Sequence, residues 1–149
     1  NTSSNDGFNA GFELFALSRA LRPSVFIQSG ISNEFTTWVV KKALPETVIY
    51  SFGERGCRGV RNNTKHFSHD WNSFDFSNLL TKNSLVYFDD HVSQAERVIE
   101  SRDRGFSHVI FNNNRPVHVI HSGGWPASPT LDMVLDKSLK HGQGIHWES

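Results

Sequence analysis

The chain has 149 residues, enough for one domain with its own hydrophobic core. Lys plus Arg (15) balance Asp plus Glu (15), and this zero net charge disfavours general nucleic-acid binding and attachment to a membrane surface. The single cysteine, Cys57, excludes a disulfide within the chain and favours a reducing compartment, for which we expect the cytoplasm. No apolar run approaches the ~18 residues of a membrane span, so we expect no membrane partner.

Helix and strand patterns alternate along the first half of the chain. Apolar residues recur at helical spacing in two segments, and short apolar runs bounded by Pro or Gly predict buried strands. Pro23 and Pro45 end the two helices, because proline cannot continue a helix. In chain order the predicted elements are a helix at 11–21, a strand at 24–30, a helix at 35–43 and a strand at 47–52. Residues 53–73 have no periodicity and are predicted to be irregular, before a short element at 73–76.

The second half continues the alternation. Its predicted elements are a strand at 84–88, a helix carrying Val92, Ala95, Val98 and Ile99, a strand at 107–111, a strand at 117–121 and a helix at 130–140. Strands that are apolar on both faces and alternate with helices indicate a parallel sheet covered by helices. We therefore predict a single three-layer, Rossmann-like α/β domain over residues 1–149. In such a sheet, ligands bind beyond the carboxyl ends of the strands, near the point where strand order reverses.

Two segments carry a resemblance to a known family. Residues 88–91 read Phe-Asp-Asp-His at the end of a strand, and residues 104–111 read Arg-Gly-Phe-Ser-His-Val-Ile-Phe. With the order and spacing of the elements over residues 1–114, they resemble class I S-adenosylmethionine-dependent methyltransferases, in a form truncated relative to the full family. The resemblance implies methyl transfer from S-adenosylmethionine to a hydroxyl group of a small molecule or glycan.

The resemblance also implies a cofactor cleft. The cofactor-binding residues that it assigns are Gln28, Gly30, Ser51 and Asp75. Gly30 is in addition expected to allow the turn after the first strand. The chain departs from the family pattern in several places: Gln28 replaces an acid, and Asn33 or Glu34 stands where the second glycine is expected. The second strand ends in Ser51-Phe52-Gly53 without the acid that usually holds the ribose hydroxyls, and Asn112-Asn113 replace Glu-Asp.

Asp89, Asp90 and His91 stand between a buried strand and a helix. Carboxylates suit Mg²⁺ or another hard divalent metal, and an imidazole widens the choice to transition metals, so all three residues are predicted metal ligands. Asp90 and His91 are also the predicted catalytic residues, because an imidazole can act as a general base near neutral pH. The alternative is structural, with Asp90 or Ser93 capping the helix and the carboxylates near its positive end. The sequence leaves both interpretations open.

Two further hypotheses stand beside methyl transfer. In one, the chain is a degenerate, non-catalytic binding or assembly module that forms a homo-oligomer through a sheet edge left bare by missing strands. In the other, it is a metal-dependent enzyme that uses Asp89, Asp90 and His91 without the methyl donor. His66 and His69 flank a loop near the predicted cleft, and their spacing assigns them no role.

Overall fold

The computed structural model describes residues 5–30, 34–53, 63–79, 83–90 and 92–112, together with Leu131 and Leu135. The elements in these ranges are α1 (Asn5–Leu21), β1 (Val25–Ser29), α2 (Phe35–Ala43), β2 (Val48–Phe52), β3 (Thr64–Phe67), β4 (Ser84–Phe88), α3 (Gln94–Asp103) and β5 (His108–Phe111). A short 3-10 helix at Trp71–Ser73 lies between β3 and β4. Within the described part of the chain, no helix combines the length and the apolar character that a membrane span requires.

The five strands form one parallel sheet in the order β3-β2-β1-β4-β5. β1 lies at the centre, where Gln28 is level with Ser51 of β2 on one side and with Tyr87 of β4 on the other. The chain steps outward from β1 through β2 to β3 and then returns to β4 on the opposite side of β1. Strand order therefore reverses between β1 and β4. This is the Rossmann-like α/β architecture that the sequence predicts.

Each face of the sheet buries a separate core. Side chains alternate between the two faces along a strand, so Ile27 and Phe52 point to one core while Phe26 and Ile49 point to the other. The aromatic core consists of Val25, Ile27, Tyr50, Phe52, Trp71, Phe76, Val86, Phe88 and Phe106. The helix-side core consists of Leu14, Phe26, Val39, Val40, Ile49 and Leu85, and it lies between the sheet and helices α1 and α2.

The predicted helices and strands that fall in the described residues are confirmed, with two corrections, and the short element predicted at 73–76 is instead the 3-10 helix at Trp71–Ser73. Helix α1 begins at Asn5 rather than at residue 11, so the predicted helix was too short at its amino end. The irregular structure predicted for 53–73 is wrong at Thr64–Phe67, which forms β3. The predicted strand at 117–121 lies outside the described residues, while Leu131 and Leu135 are helical. β3 and β5 are the outer strands of the described sheet, and a homo-oligomer through such an edge stays a prediction.

Candidate ligand-binding site

A cleft opens at the carboxyl ends of the strands, at the point where strand order reverses. It has a volume of about 460 Å³. Its lining residues come from the ends of four strands and are Ser29, Gly30, Phe52, Gly53, Ser68, His69, Asp70 and Asp90. Because ligands of open α/β sheets bind at this position, the cleft is the candidate functional site of the described chain.

Gly30 makes the turn that leaves β1, as the sequence predicts. Its φ angle is +88°, a conformation that side-chain-bearing residues rarely adopt. A Cβ atom here would lie 2.2 Å from the carbonyl oxygen of Asp89 and 2.4 Å from Cα of Asp90. The glycine therefore allows the chain that leaves β1 to pack directly on the chain that leaves β4, and this contact forms one wall of the cleft.

A buried arginine, Arg97 of α3, joins three carboxylates next to the cleft. Its Nη1 and Nη2 atoms donate to Oδ1 and Oδ2 of Asp70 at 3.2 and 2.6 Å. Its Nε atom donates to Oδ2 of Asp90 at 3.0 Å, and its Nη1 atom donates to Oε2 of Glu100 at 2.7 Å. Such forked, charge-assisted hydrogen bonds fix the relative positions of the groups that they join.

The same guanidinium packs against the aromatic core. The Arg97 side chain is only 2% exposed. Its Cζ atom lies 5.5 Å from the ring centroid of Phe88 and 6.0 Å from that of Trp71. The indole Nε1 of Trp71 also donates to Oε2 of Glu100 at 3.0 Å. The guanidinium of Arg97 is thus surrounded by carboxylate acceptors and aromatic rings. A buried charge needs such partners to remain charged.

The network fixes the charges of Arg97 and Asp70. Burial disfavours the guanidinium, but hydrogen bonds to Asp70 and Glu100 and the nearby carboxylate charges outweigh it, so the pKa of Arg97 is raised. Burial also disfavours the Asp70 carboxylate, yet hydrogen bonds from Arg97 and from the backbone N–H of Asn72 lower the pKa of Asp70 overall. Among the described residues, Arg97 pairs with three acidic side chains and Arg104 adds a second positive charge that acts on Asp70, so the described wall of the cleft carries a surplus of negative charge.

The structure places Asp90 in the cleft and Asp89 next to it. Oδ2 of Asp90 accepts from the hydroxyl of Ser29 at 2.7 Å, in addition to its bonds with Arg97. Oδ1 of Asp89 accepts from Nδ2 of Asn112 at 2.7 Å, which ties the end of β4 to the end of β5. Both carboxylates therefore have structural partners, whatever further role they have.

The predicted capping role is also present. The hydroxyl of Ser93 accepts from the backbone N–H of Glu96 at 3.4 Å, which confirms Ser93 as the cap of α3. Oδ1 of Asp90 accepts from the N–H of Val92 at 3.3 Å and so orders the turn that leads into the helix. A carboxylate at this end of α3 is also favoured by the helix dipole.

These contacts disfavour a divalent metal ion at Asp90. Nη2 of Arg97 lies 2.8 Å from Oδ2 of Asp90, and its positive charge would repel a cation bound to the same oxygen. In the ranges that the structure covers, no three His, Cys, Asp or Glu side chains form a group that could hold a metal. His91 lies outside the described residues. A metal site at Asp89, Asp90 and His91, and catalysis by Asp90 and His91, stay predictions.

Gln28 and Ser51, two of the predicted cofactor residues, lie under helix α2. Nε2 of Gln28 donates to Oγ1 of Thr37 at 2.9 Å and to Oγ of Ser51, and all three residues are buried. They share the sheet face of the helix-side core, whereas the strand side chains that line the cleft, Ser29 and Phe52, lie on the other face. The structure thus brings Gln28 and Ser51 together, but it does not bring them to the lining of the cleft.

Asp75, the remaining predicted cofactor residue, lines a different cavity. That cavity has a volume of about 330 Å³ and is lined by Phe74, Asp75, Phe76, Ser77, Leu79 and Arg104. Oδ1 of Asp75 accepts from the backbone N–H of Ser77 at 2.9 Å, and this bond lowers the pKa of the exposed carboxyl group. Of the predicted cofactor residues, only Gly30 lines the cleft at the switch point.

In comparisons with known proteins, the chain matches no family model and no curated protein sequence. The site must therefore be interpreted from its own geometry.

The sequence analysis missed two site residues, Asp70 and Arg97, and it noted His69 near the cleft without assigning it a role. Asp70 and His69 follow β3, a strand that the sequence does not reveal, so nothing in the sequence places them at the end of a strand. Arg97 is one of several charged residues on α3 and reads as solvent-exposed. The available signal was the sequence His69-Asp70-Trp71, which combines two polar cleft residues with the indole that covers Arg97.

Proposed function

We propose that the chain is an S-adenosylmethionine-dependent O-methyltransferase that acts on a small molecule or glycan. The observation that carries this proposal is an acidic, glycine-lined cleft at the switch point of a parallel β3-β2-β1-β4-β5 sheet. Its volume of about 460 Å³ lies within the roughly 300–1,000 Å³ that pockets for small molecules usually have.

The charge of the cleft favours S-adenosylmethionine over a nucleotide phosphate. Asp70 and Asp90 line it, and Arg97, their buried counter-ion, has its donors directed at carboxylates. The sulfonium, the ammonium and the ribose hydroxyls of S-adenosylmethionine all pair well with carboxylates. A phosphate group would instead meet like charge in the same place.

The residues of the cleft fit such a ligand. Gly30 and Gly53 have no side chains, so the ends of β1 and β2 allow close approach to the backbone. We assign Asp70 to the ribose hydroxyls, since its carboxylate is 43% exposed and oriented by Arg97. The Asp70 carboxylate would take the role of the acidic residue that the family has at the end of its second strand and that β2 lacks. When bound, S-adenosylmethionine supplies an electrophilic methyl group.

The partners of Asp90 favour a second candidate, a non-catalytic binding module with the same cleft. The Asp90 carboxylate accepts from Arg97, from the Ser29 hydroxyl and from the Val92 N–H. These donors occupy most of the lone pairs of the carboxylate, so Asp90 is engaged in structural contacts. If no other group in the cleft accepts a proton, binding without catalysis is expected.

Calorimetric titration with S-adenosylhomocysteine, with and without Mg²⁺, tests the proposal. We expect micromolar binding that does not depend on Mg²⁺, and no binding of ATP under the same conditions. Absence of heat, together with no thermal shift at millimolar S-adenosylhomocysteine, would exclude the methyltransferase function.

Variants locate the binding site. Asp70→Asn should weaken S-adenosylhomocysteine binding about tenfold, since it removes the charge from an acceptor of ligand hydroxyls. Asp103→Asn is the matched control, because Asp103 pairs only with the exposed Arg102 among the described residues and lies outside the cleft. Binding that is accompanied by no consumption of S-adenosylmethionine, with phenolic and glycan acceptors present, would favour the binding module.

A further inference from the structure

His69 occupies a defined place in the cleft. It lies two residues beyond the end of β3, and it lines the cleft together with Gly30 and Asp90. Its ring packs against two rings of neighbouring strands, with centroids 5.8 Å from Phe52 and 5.6 Å from Phe67. The imidazole is therefore exposed to the cleft, while its packing against these two rings restricts its orientation.

The hydrogen bonds of His69 assign its tautomer. Nδ1 lies 2.9 Å from the backbone oxygen of Asp70 and 2.9 Å from Oγ of Ser73. A carbonyl oxygen can only accept, so Nδ1 carries the hydrogen. The Ser73 hydroxyl donates to the same carbonyl at 2.9 Å, which leaves its oxygen free to accept from Nδ1. The lone pair of the neutral ring is then on Nε2, and no hydrogen bond among the described residues engages that atom.

We propose that His69 is the general base of the cleft, with Nε2 as the atom that takes the proton from the acceptor hydroxyl. This inference rests on the proposed function. As the acceptor O–H bond breaks, the proton passes to Nε2, the oxygen forms a bond to the methyl carbon, and the carbon–sulfur bond breaks with its electron pair remaining on sulfur. The imidazolium then releases the proton to water, so no further reactant is needed.

The surroundings of His69 suit a ring that becomes positively charged. Asp70 and Asp90 line the same cleft, and no Lys or Arg is among its described lining residues. Among the described residues, the positive charges nearby are Arg97, which is bonded to both carboxylates, and Arg104, which acts on Asp70. Asp90 is less suited to be the base, since three groups already donate to it. His69 thus supplies a proton acceptor, which the network of Arg97 and its carboxylates does not provide.

Nuclear magnetic resonance of ring nitrogens labelled with ¹⁵N tests the tautomer in the full chain. His69→Asn identifies the signals of His69 among the eight histidines. We expect the neutral form of the ring to carry hydrogen on Nδ1 and none on Nε2. Ser73→Ala should move this ring toward a mixture of tautomers, an effect that a purely packing role would not produce. A ring with hydrogen on Nε2 and none on Nδ1 would overturn the proposal.

Carbethoxylation by diethyl pyrocarbonate, followed by mass spectrometry, tests whether Nε2 faces the bound ligand. We expect His69 to react in the free protein and to react about tenfold more slowly with S-adenosylhomocysteine at about ten times its Kd. Asp103→Asn, which lies outside the cleft, should show the wild-type reaction rate and the wild-type protection of His69. An unreactive His69, or equal rates while calorimetry reports bound ligand, would overturn the role of His69 alone. Absence of binding in the wild type would overturn the proposed function itself.

Discussion

Arg97 and Asp70, 27 residues apart in the sequence, form a forked ion pair with N–O distances of 2.6 and 3.2 Å. The pair fastens helix α3 to the loop that follows β3. It thereby sets the position of an acidic side chain in a cleft that Arg97 itself does not line. The shape and charge of the candidate site therefore depend on a buried residue of a neighbouring helix.

Substitution of Arg97 should both destabilise the fold and disturb the cleft. Arg97→Met keeps much of the side-chain volume but leaves Asp70, Asp90 and Glu100 without their shared cation. We expect the free energy of unfolding to fall by about 3 kcal/mol, measured by chemical denaturation. Arg97→Lys should recover only part of this loss, since an ammonium cannot make the forked contact.

Arg102 provides the control for that measurement. It lies on the same helix and pairs with Asp103 at 2.8 Å, but both side chains are mostly exposed. Arg102→Met should change the free energy of unfolding by less than about 0.5 kcal/mol. If the Arg97 and Arg102 variants were equally stable, the buried network would not hold the fold together.

The lowered pKa of Asp70 predicts a specific sensitivity to acid. The folded pKa lies below the unfolded value of about 3.9, so the folded state binds fewer protons in this range and stability rises with pH. The stabilisation that comes from this lowered pKa is complete above about pH 5 and is lost as pH falls through the folded pKa. Denaturation between about pH 2 and 6 should show a shallower acid loss for Asp70→Asn than for the wild type. Asp103→Asn should retain the wild-type slope, and a shared slope for all three proteins would contradict the prediction.

The central strands of the sheet could be predicted because a strand that is buried on both faces has a continuous run of apolar residues. Residues 84–88, Ser-Leu-Val-Tyr-Phe, are apolar in sequence, and β4 has these bounds in the structure. β3 could not be found in the same way. It reads Thr-Lys-His-Phe, lies at the edge of the described sheet and is only partly buried, so its sequence has no apolar run.

The site was harder to predict than the fold, and α3 shows why. Its apolar spacing reveals a helix, but the buried residues are Gln94, Arg97 and Ser101, while Val98 and Ile99 are exposed. Hydrophobic periodicity assumes that apolar residues face inward, and it fails where a charged residue is buried by pairing with distant carboxylates. The partners of Arg97 come from β4, from the β3 loop and from its own helix, and only the tertiary fold brings them together.

Gly30 should tolerate no side chain. In Gly30→Ala, Cβ would approach backbone atoms of Asp89 and Asp90 to within 2.4 Å, and a φ of +88° adds strain. We expect a loss of about 3 kcal/mol or more in the free energy of unfolding. In Gly11→Ala, Cβ meets only the tip of the exposed Phe35 ring at 2.6 Å, and alanine favours the helix by about 1 kcal/mol. That variant should be near wild-type stability, and similar losses in both would contradict the backbone contact at Gly30.

Gln28→Met separates a structural role of Gln28 from the cofactor role that the family resemblance implies. Methionine fills similar space but cannot donate to the hydroxyls of Thr37 and Ser51. Oε1 of Gln28 has no hydrogen-bond partner among the described residues, so its removal offsets part of that loss. We expect the free energy of unfolding to fall by about 1 kcal/mol. The Kd for S-adenosylhomocysteine should change by less than about twofold, because Gln28 does not line the cleft. Unchanged stability with a tenfold weaker Kd would instead establish Gln28 as a cofactor ligand and require the bound cofactor to reach beneath α2.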